Sequence, residues 1–206
     1  MPDRLDLLLI YPPWPAAKGR ARLISTLPPL GVLSIASNVE SHGFSVDVCD
    51  AHAYQLDDQE IRALIRRHQP RVVGLSVLTS QVLASHKIAK IAKQEIPDCV
   101  VVAGGVHAEA MPERMLRNSA IDMVVRGDGE DATVEIVKGW PVETILGASY
   151  RLNGGVVHND ARPVQMDLDA YPMPAYHMVD FDKYYPGATT YRQLPAINLL
   201  MTRGCP

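Results

Sequence analysis

The run Thr202-Arg203-Gly204-Cys205-Pro206 sets one cysteine between a glycine and a proline, directly after the apolar stretch Ala196-Ile197-Asn198-Leu199-Leu200-Met201. A strand that runs into a Gly-Cys-Pro turn holds a thiolate where a metal or cluster can reach it. A cubane iron–sulfur cluster needs three such protein ligands, and the sequence supplies one before it stops at Pro206. Taken alone, a lone cysteine in a chain terminus is the simpler reading.

Four further loops carry residue types suited to holding a ligand. They are Tyr11-Pro12-Pro13-Trp14, Ser76-Val77-Leu78-Thr79-Ser80, Gly104-Gly105-Val106-His107 and Gly127-Asp128-Gly129-Glu130. Glycine lets backbone approach a flat or bulky ligand without a Cβ in the way, and its amide stays free to bond ligand polar atoms. Any one of these loops reads as an ordinary strand-to-helix turn, but all four on one edge favour a ligand. Asp128, Glu130 and Asp131 cluster closely enough for a divalent cation, although three acidic residues opening a helix more often compensate its dipole. Nucleotide cradles are missing. Prolines follow the first strand where a dinucleotide fold has Gly-x-Gly-x-x-Gly, and no Walker-type Gly-Lys-Ser/Thr occurs.

The elements that position these loops follow from periodicity. Leu5 to Tyr11 is a nearly continuous apolar run that suits a strand buried on both faces. Pro29 opens a helix with Val32, Ile35, Ala36 and Val39 at helical spacing, and Gly43 closes it. Phe44 to Asp50 alternates as a strand. Asp57 or Asp58 then caps a helix with Ile61, Leu64 and Ile65 on one face. Arg71 to Val77, Cys99 to Ala103 and Ile121 to Arg126 are three more strands. Helices after them place Ala84, Ile88, Ile91 and Ala92 on one face, run from about Pro112 to Arg117, and run from Glu130 to about Lys138. This alternation predicts an α/β fold with a five-stranded parallel sheet, right-handed crossovers and helices on both faces. The four loops then share its carboxyl edge, where such sheets bind ligands. Beyond Gly139 the rhythm breaks. Asn153-Gly154-Gly155 signals a hairpin between Ala148–Leu152 and Val156–His158, followed by a proline-rich linker that wraps over the domain. The expected division is residues 1–140 as an α/β binding domain, 141–195 as hairpin and linker, and 196–206 as a first strand and the start of a cysteine loop.

With 206 residues, 47% hydrophobic and a net charge of −3, the chain suits a soluble globular domain without a nucleic-acid surface. No run reaches the ~18 apolar residues of a membrane span, and no signal-peptide pattern opens the chain, so the expected location is the cytoplasm. Cys49, Cys99 and Cys205 are odd in number and widely spaced. Cys49 and Cys99, both within apolar runs, read as small buried hydrophobes.

The motifs Tyr11-Pro12-Pro13, Pro28-Pro29-Leu30-Gly31, Val73-Gly74-Leu75-Ser76, Gly104-Gly105-Val106-His107, Arg126-Gly127-Asp128-Gly129-Glu130 and Arg203-Gly204-Cys205-Pro206 resemble, in order and spacing, the N-terminal half of cobalamin-binding radical SAM enzymes. The resemblance covers essentially the whole chain. It implies a flavodoxin-like first domain that holds cobalamin at the carboxyl edge of its sheet, then a linker, then a partial barrel. That barrel opens with a Cys-x-x-x-Cys-x-x-Cys loop whose thiolates bind a [4Fe–4S] cluster for cleavage of S-adenosylmethionine. It assigns Ser76 and Thr79 to the nucleotide tail and Gly104 and Gly105 to the turn that admits it. Gly127, Gly129 and Glu130 fall in the last-strand loop, and Cys205 is the first cluster ligand. Tyr11 and Pro12 join the cofactor-binding set. His107 either lines the corrin pocket or bonds to the neighbouring turn. The family usually has Glu where Asp128 stands, and the two further cysteines and the barrel do not follow Pro206. As given, the chain is expected to bind the corrinoid and to pack against a radical SAM barrel in a complete protein, without generating a radical itself.

Asp50-Ala51-His52 resembles the start of the Asp-x-His-x-x-Gly signature of other cobalamin proteins. Gln55 stands where glycine is required, and the triplet follows strand two instead of strand one. His52 is accordingly expected to be a solvent-facing loop histidine. Methyl transfer to an unactivated carbon is the function the resemblance implies for the whole enzyme, with an oxidative cyclase as its alternative. A non-catalytic, degenerate or sensing cobalamin module is the competing class. A flavin-binding flavodoxin-like protein ranks below these because Pro12-Pro13-Trp14-Pro15 is a poor phosphate loop.

Overall fold

The computed structural model describes residues 4–15, 26–117, 120–187, 189–200, 202 and 203. Cys205, the expected cluster ligand, lies outside the described residues. In chain order the elements are β1 Leu7–Tyr11, α1 Leu30–Ser41, β2 Val46–Asp50, α2 Asp58–His68, β3 Val72–Ser76, α3 Val82–Glu95, β4 Val100–Gly104, α4 Val106–Ala110, α5 Pro112–Leu116, β5 Met123–Val125, α6 Glu130–Val137, β6 Ala148–Leu152 and β7 Gly155–His158. They build one sheet in the order β2-β1-β3-β4-β5-β6-β7, whose first five strands are parallel. The parallel part is flavodoxin-like in strand order.

Burial on both faces explains the continuous apolar strands. Leu7, Leu8, Leu9 and Ile10 are all buried, each contributing about 1.5–3 kcal/mol of transfer free energy. Even-numbered Leu8 and Ile10 face the core shared with α2, α3 and α5, whereas Leu7 and Leu9 face the core shared with α1 and α6. The helices begin where the sequence provides caps. Asp57 accepts from the amides of Gln59 and Glu60, and Glu60 returns a bond from the Asp57 amide, a complete capping box. On the solvated side of α2, Arg62 and Arg66 both pair with Glu95 of α3 and tie the two helices together.

Three expectations are corrected. The hairpin does not merely follow the sheet but extends it: β6 runs antiparallel to β5 with Met123 opposite Tyr150, and β7 forms the outer edge. Arg151 secures this addition by donating to the carbonyls of Leu116 and Ile121 at 2.8 and 2.7 Å. A short helix, α4, starts immediately after Gly105, ahead of the expected helix at Pro112. Residues 196–200 form no strand and pair with none of the seven strands of the sheet.

The proline-rich segment after the hairpin packs on α1 and the end of β2. Ala175 donates from its amide to Leu33 of α1 at 3.0 Å, and the Tyr184 hydroxyl donates to Asp50 at 3.2 Å. Cys49 and Cys99 are free and buried. Burial, with Asp50 and Asp47 beside it, pushes the Cys49 thiol up to about 12, so it remains protonated. Among the described residues no helix is long and apolar enough to cross a membrane.

Candidate cofactor-binding site

On the α1/α6 face, a cavity of about 640 Å³ opens at the carboxyl edge of the sheet. It exists because that face runs out of side chains. Gly74 stands opposite Val102 and Ser76 opposite Gly104, so beyond the Leu9 and Val102 level the sheet presents almost bare backbone. A Cβ on Gly74 would lie 2.6 Å from Leu9 Cδ2, which would have to move. Apolar side chains, among them Leu7, Leu9, Val72, Val102 and Val125, form the floor. Helix α1 supplies Ser34 and Ile35 as one wall, and the start of α6 supplies Glu130 and Thr133 as the other. Gly129 permits that close approach, since a Cβ there would stand 2.9 Å from Ile35 Cδ1.

Ser76, Gly104, Gly105, Gly127, Gly129 and Glu130 are brought together in the lining. Tyr11, Pro12, Thr79 and His107 lie outside it. Pro12 is buried, and its carbonyl accepts from Gln81 Nε2 at 2.6 Å. His107 Nδ1 is 3.2 Å from Thr79 Oγ1, which is the bond to the neighbouring turn. His107 Nε2 is buried without a hydrogen-bond partner among the described residues. His52 is not solvent-facing: it is half-buried, its ring stacks on Trp14 at 5.2 Å, and Nδ1 accepts from the Trp14 amide at 3.4 Å. Burial lowers its pKa, opposed by Asp50.

The acidic trio is spent on ion pairs and hydrogen bonds. Glu130, 3% exposed, accepts from Arg203 at 2.5 Å; Asp128 lies 3.7 Å from the same guanidinium; Asp131 accepts from the Tyr171 hydroxyl at 3.0 Å. Among the described residues no group of three or more His, Cys, Asp or Glu is placed to hold a metal ion. Sequence reasoning missed the wall residues Ser34, Ile35 and Thr133, and missed Leu200 and Arg203 as part of the lining. Helical spacing flags Ile35 only as a core position, and nothing local joins Arg203 to Glu130.

The lining suits a large group that ends in a flat, largely apolar ring. It combines apolar side chains with the glycines Gly74, Gly104, Gly105, Gly127 and Gly129, the hydroxyls of Ser34, Ser76 and Thr133, and Glu130. A flavodoxin-like sheet with an apolar crevice at its carboxyl edge defines a cofactor-binding domain of the doubly wound class. The family model described as the B12 binding domain matches residues 20–137, more than half of the chain. The chain belongs to that family.

The chain is 36% identical over 208 residues to an uncharacterized methyltransferase, PH0819, of Pyrococcus horikoshii, a match covering 98% of this chain and 44% of that protein. It is 28% identical over 209 residues to the anaerobic magnesium-protoporphyrin IX monomethyl ester cyclase of a Synechocystis species, covering 98% of this chain and 41% of the cyclase. The chain thus spans less than half the length of these curated relatives. Among solved structures, the radical S-adenosylmethionine methyltransferase TsrM from Kitasatospora setae, determined with cobalamin and a [4Fe-4S] cluster bound, superposes with a TM-score of 0.62. That match has 20% identity over 82% of this chain and 31% of TsrM, a likeness of fold.

Proposed function

We propose that this chain is the cobalamin-binding part of a radical SAM enzyme that transfers a methyl group to carbon. The observation that carries the reading is the coincidence of the 640 Å³ cavity with six of the ten residues the sequence marks for the cofactor. In this reading the flat base that ends the cofactor's nucleotide tail enters between the sheet and α1/α6. Ser76 and the backbone of Gly104 and Gly105 border it on one side, and Gly127, Gly129 and Glu130 border it on the other. Tyr11, Thr79 and His107, on the same carboxyl edge, border the cofactor where it projects from the cavity, and buried Pro12 supports that edge through its carbonyl's bond from Gln81. Bound methylcobalamin supplies a methyl group on cobalt. The protein's part is to hold and orient the corrinoid and to exclude water from its tail.

Residues 1–140, extended by the hairpin, form the binding domain in this proposal. The segment to 195 is the linker, and 196–206 leads into a radical SAM barrel against which the domain packs. Cys205 is there the first ligand of a [4Fe–4S] cluster that cleaves S-adenosylmethionine. Methyl transfer is preferred over cyclisation because the methyltransferase relative is 36% identical and the cyclase 28%. Free thiols at Cys49 and Cys99 suit a reducing compartment, and the cytoplasm is proposed on that ground.

Mixing the purified chain with hydroxocobalamin, desalting it and recording the visible spectrum tests the binding step. About one corrinoid per chain is expected to be retained. A colourless protein fraction overturns the reading.

A further inference from the structure

A second cleft, of about 270 Å³, opens at the carboxyl end of the edge strand β2 and shares no residue with the 640 Å³ cavity. Its lining comes from three places in the sequence: Thr26 ahead of α1, the turn of residues 52–55 after β2, and Asp182, Lys183 and Tyr185 from the segment that packs on that end of the sheet. Pockets for drug-sized ligands run to roughly 300–1,000 Å³, so the occupant of this one is small.

Backbone amides have already engaged lone pairs on three of its polar groups. His52 Nδ1 accepts from the Trp14 amide at 3.4 Å, the Tyr54 hydroxyl from the Asp180 amide at 3.3 Å, and Thr26 Oγ1 from the Tyr185 amide at 3.0 Å. Each group keeps a hydrogen to give: the O–H of Tyr54 and of Thr26, and the Nε2–H of the His52 tautomer that the bond to Nδ1 selects. Burial lowers the His52 pKa, which keeps that ring neutral at pH 7. Two charges complete the lining. Asp182 and Lys183 are exposed neighbours in one turn, and among the described residues neither is in an ion pair.

Different occupants use this set differently. A simple anion finds Lys183 and the three neutral donors but also meets Asp182. A cation finds Asp182 against a surplus of donors, and a neutral polyol leaves both charges idle. A carboxylate with an ammonium one carbon away uses every group: Lys183 and the neutral donors bond to the carboxylate, and the ammonium bonds to Asp182.

We propose that this cleft binds a free α-amino acid, its carboxylate toward Lys183, Tyr54, Thr26 and His52 and its ammonium toward Asp182. The site lies beyond the cobalamin reading and does not depend on it.

The chain carries two tryptophans, Trp14 and Trp140. Trp14 stacks on His52 with ring centroids 5.2 Å apart, so in a Trp140→Phe background its fluorescence reports on the wall of the cleft. Titrating the full chain with each common L-amino acid in turn, up to millimolar concentration, is expected to give a saturable change with at least one. For that amino acid, the matching acid without its amine and the matching amine without its carboxyl are each expected to bind at least tenfold more weakly. Lys183→Met and Asp182→Asn, both on exposed side chains, should each weaken binding at least tenfold and leave the melting temperature at the parent's value. The absence of a saturable change with any amino acid overturns the proposal, as does binding within twofold of the parent in both variants. An acid that binds as well as its amino acid makes the cleft a plain anion pocket and overturns it too. Corrinoid retention is measured on the same protein: retention without amino-acid binding defeats the cleft alone, and the reverse result defeats the proposed function alone.

Discussion

A Cβ on Gly105 would stand 3.0 Å from the amide nitrogen of Val77 and 3.1 Å from its carbonyl oxygen, so the turn leaving β4 lies directly on the turn leaving β3. The Val77 amide donates to Gly104 at 2.8 Å and the His107 amide donates to Val77 at 3.1 Å, stitching the two loops at the cavity rim. Gly105 meets this with φ 89° and ψ 170°, a conformation essentially confined to glycine. Gly105→Ala is therefore expected to cost about 2–3 kcal/mol from strain and contact, lowering Tm by roughly 4–12 °C for a chain of this size. Thermal melts followed by circular dichroism check this, and an unchanged Tm contradicts the account of the rim.

Gly74 offers the complementary case, because its backbone is unstrained and only space is at stake. The 2.6 Å contact that a Cβ would make is with the flexible end of Leu9, which also lines the cavity. Gly74→Ala should cost about 1–3 kcal/mol for overpacking and shift Leu9 toward the cavity. A hydroxocobalamin titration is expected to show affinity falling by tenfold or more, with the melting transition remaining cooperative. Unaltered affinity would show that the ligand does not reach the Leu9 level.

The parallel sheet was legible because its strands are buried on both faces and so appear as unbroken apolar runs such as Leu5 to Tyr11. The β6–β7 hairpin was legible from Asn153-Gly154-Gly155, but its place was not, since edge pairing with β5 depends on distant residues. Helix α4 escaped notice because five residues hold too little of a helical period to read. The apolar run at 196–200 imitates a strand, yet here it has no ladder partner and lies at the cavity mouth. In the site, residue types on the loops were readable, whereas pairings were not. Glu130 and Arg203 are 73 positions apart. Gln81, 0% exposed and bridging the Leu78 amide and the Pro12 carbonyl, looks in sequence like any polar residue opening a helix.

Far from the cavity, Asp57 provides a control that separates stability from binding. Its carboxylate satisfies two amides at the start of α2, at 2.8 and 2.9 Å. Asp57→Ala is expected to cost about 1 kcal/mol, roughly 2–4 °C in Tm, with corrinoid retention unchanged. A matching loss of retention would mean that the effects assigned to Gly74 and Gly105 report general destabilisation.

The buried carboxylate of Asp50 sets a pH dependence. It is 2% exposed and accepts from the amides of His52 and Ala53 at 3.1 and 2.9 Å and from the Tyr184 hydroxyl. Desolvation outweighs these bonds and raises its pKa above the ordinary aspartate value. Between the unfolded and the folded pKa the native state therefore binds the extra proton. Its contribution to stability is full below the unfolded pKa and is lost as pH rises through the folded one. Asp50→Asn removes that decline while keeping a side-chain carbonyl for the two amides. The stability of the asparagine variant relative to the parent should accordingly increase from pH 3.5 to pH 7, measured as the difference in urea midpoints. Tyr184→Phe withdraws the one hydroxyl donor and should steepen the parent's decline. A difference that stays flat across this range, or falls, would mean that Asp50 is held ionised in the folded protein.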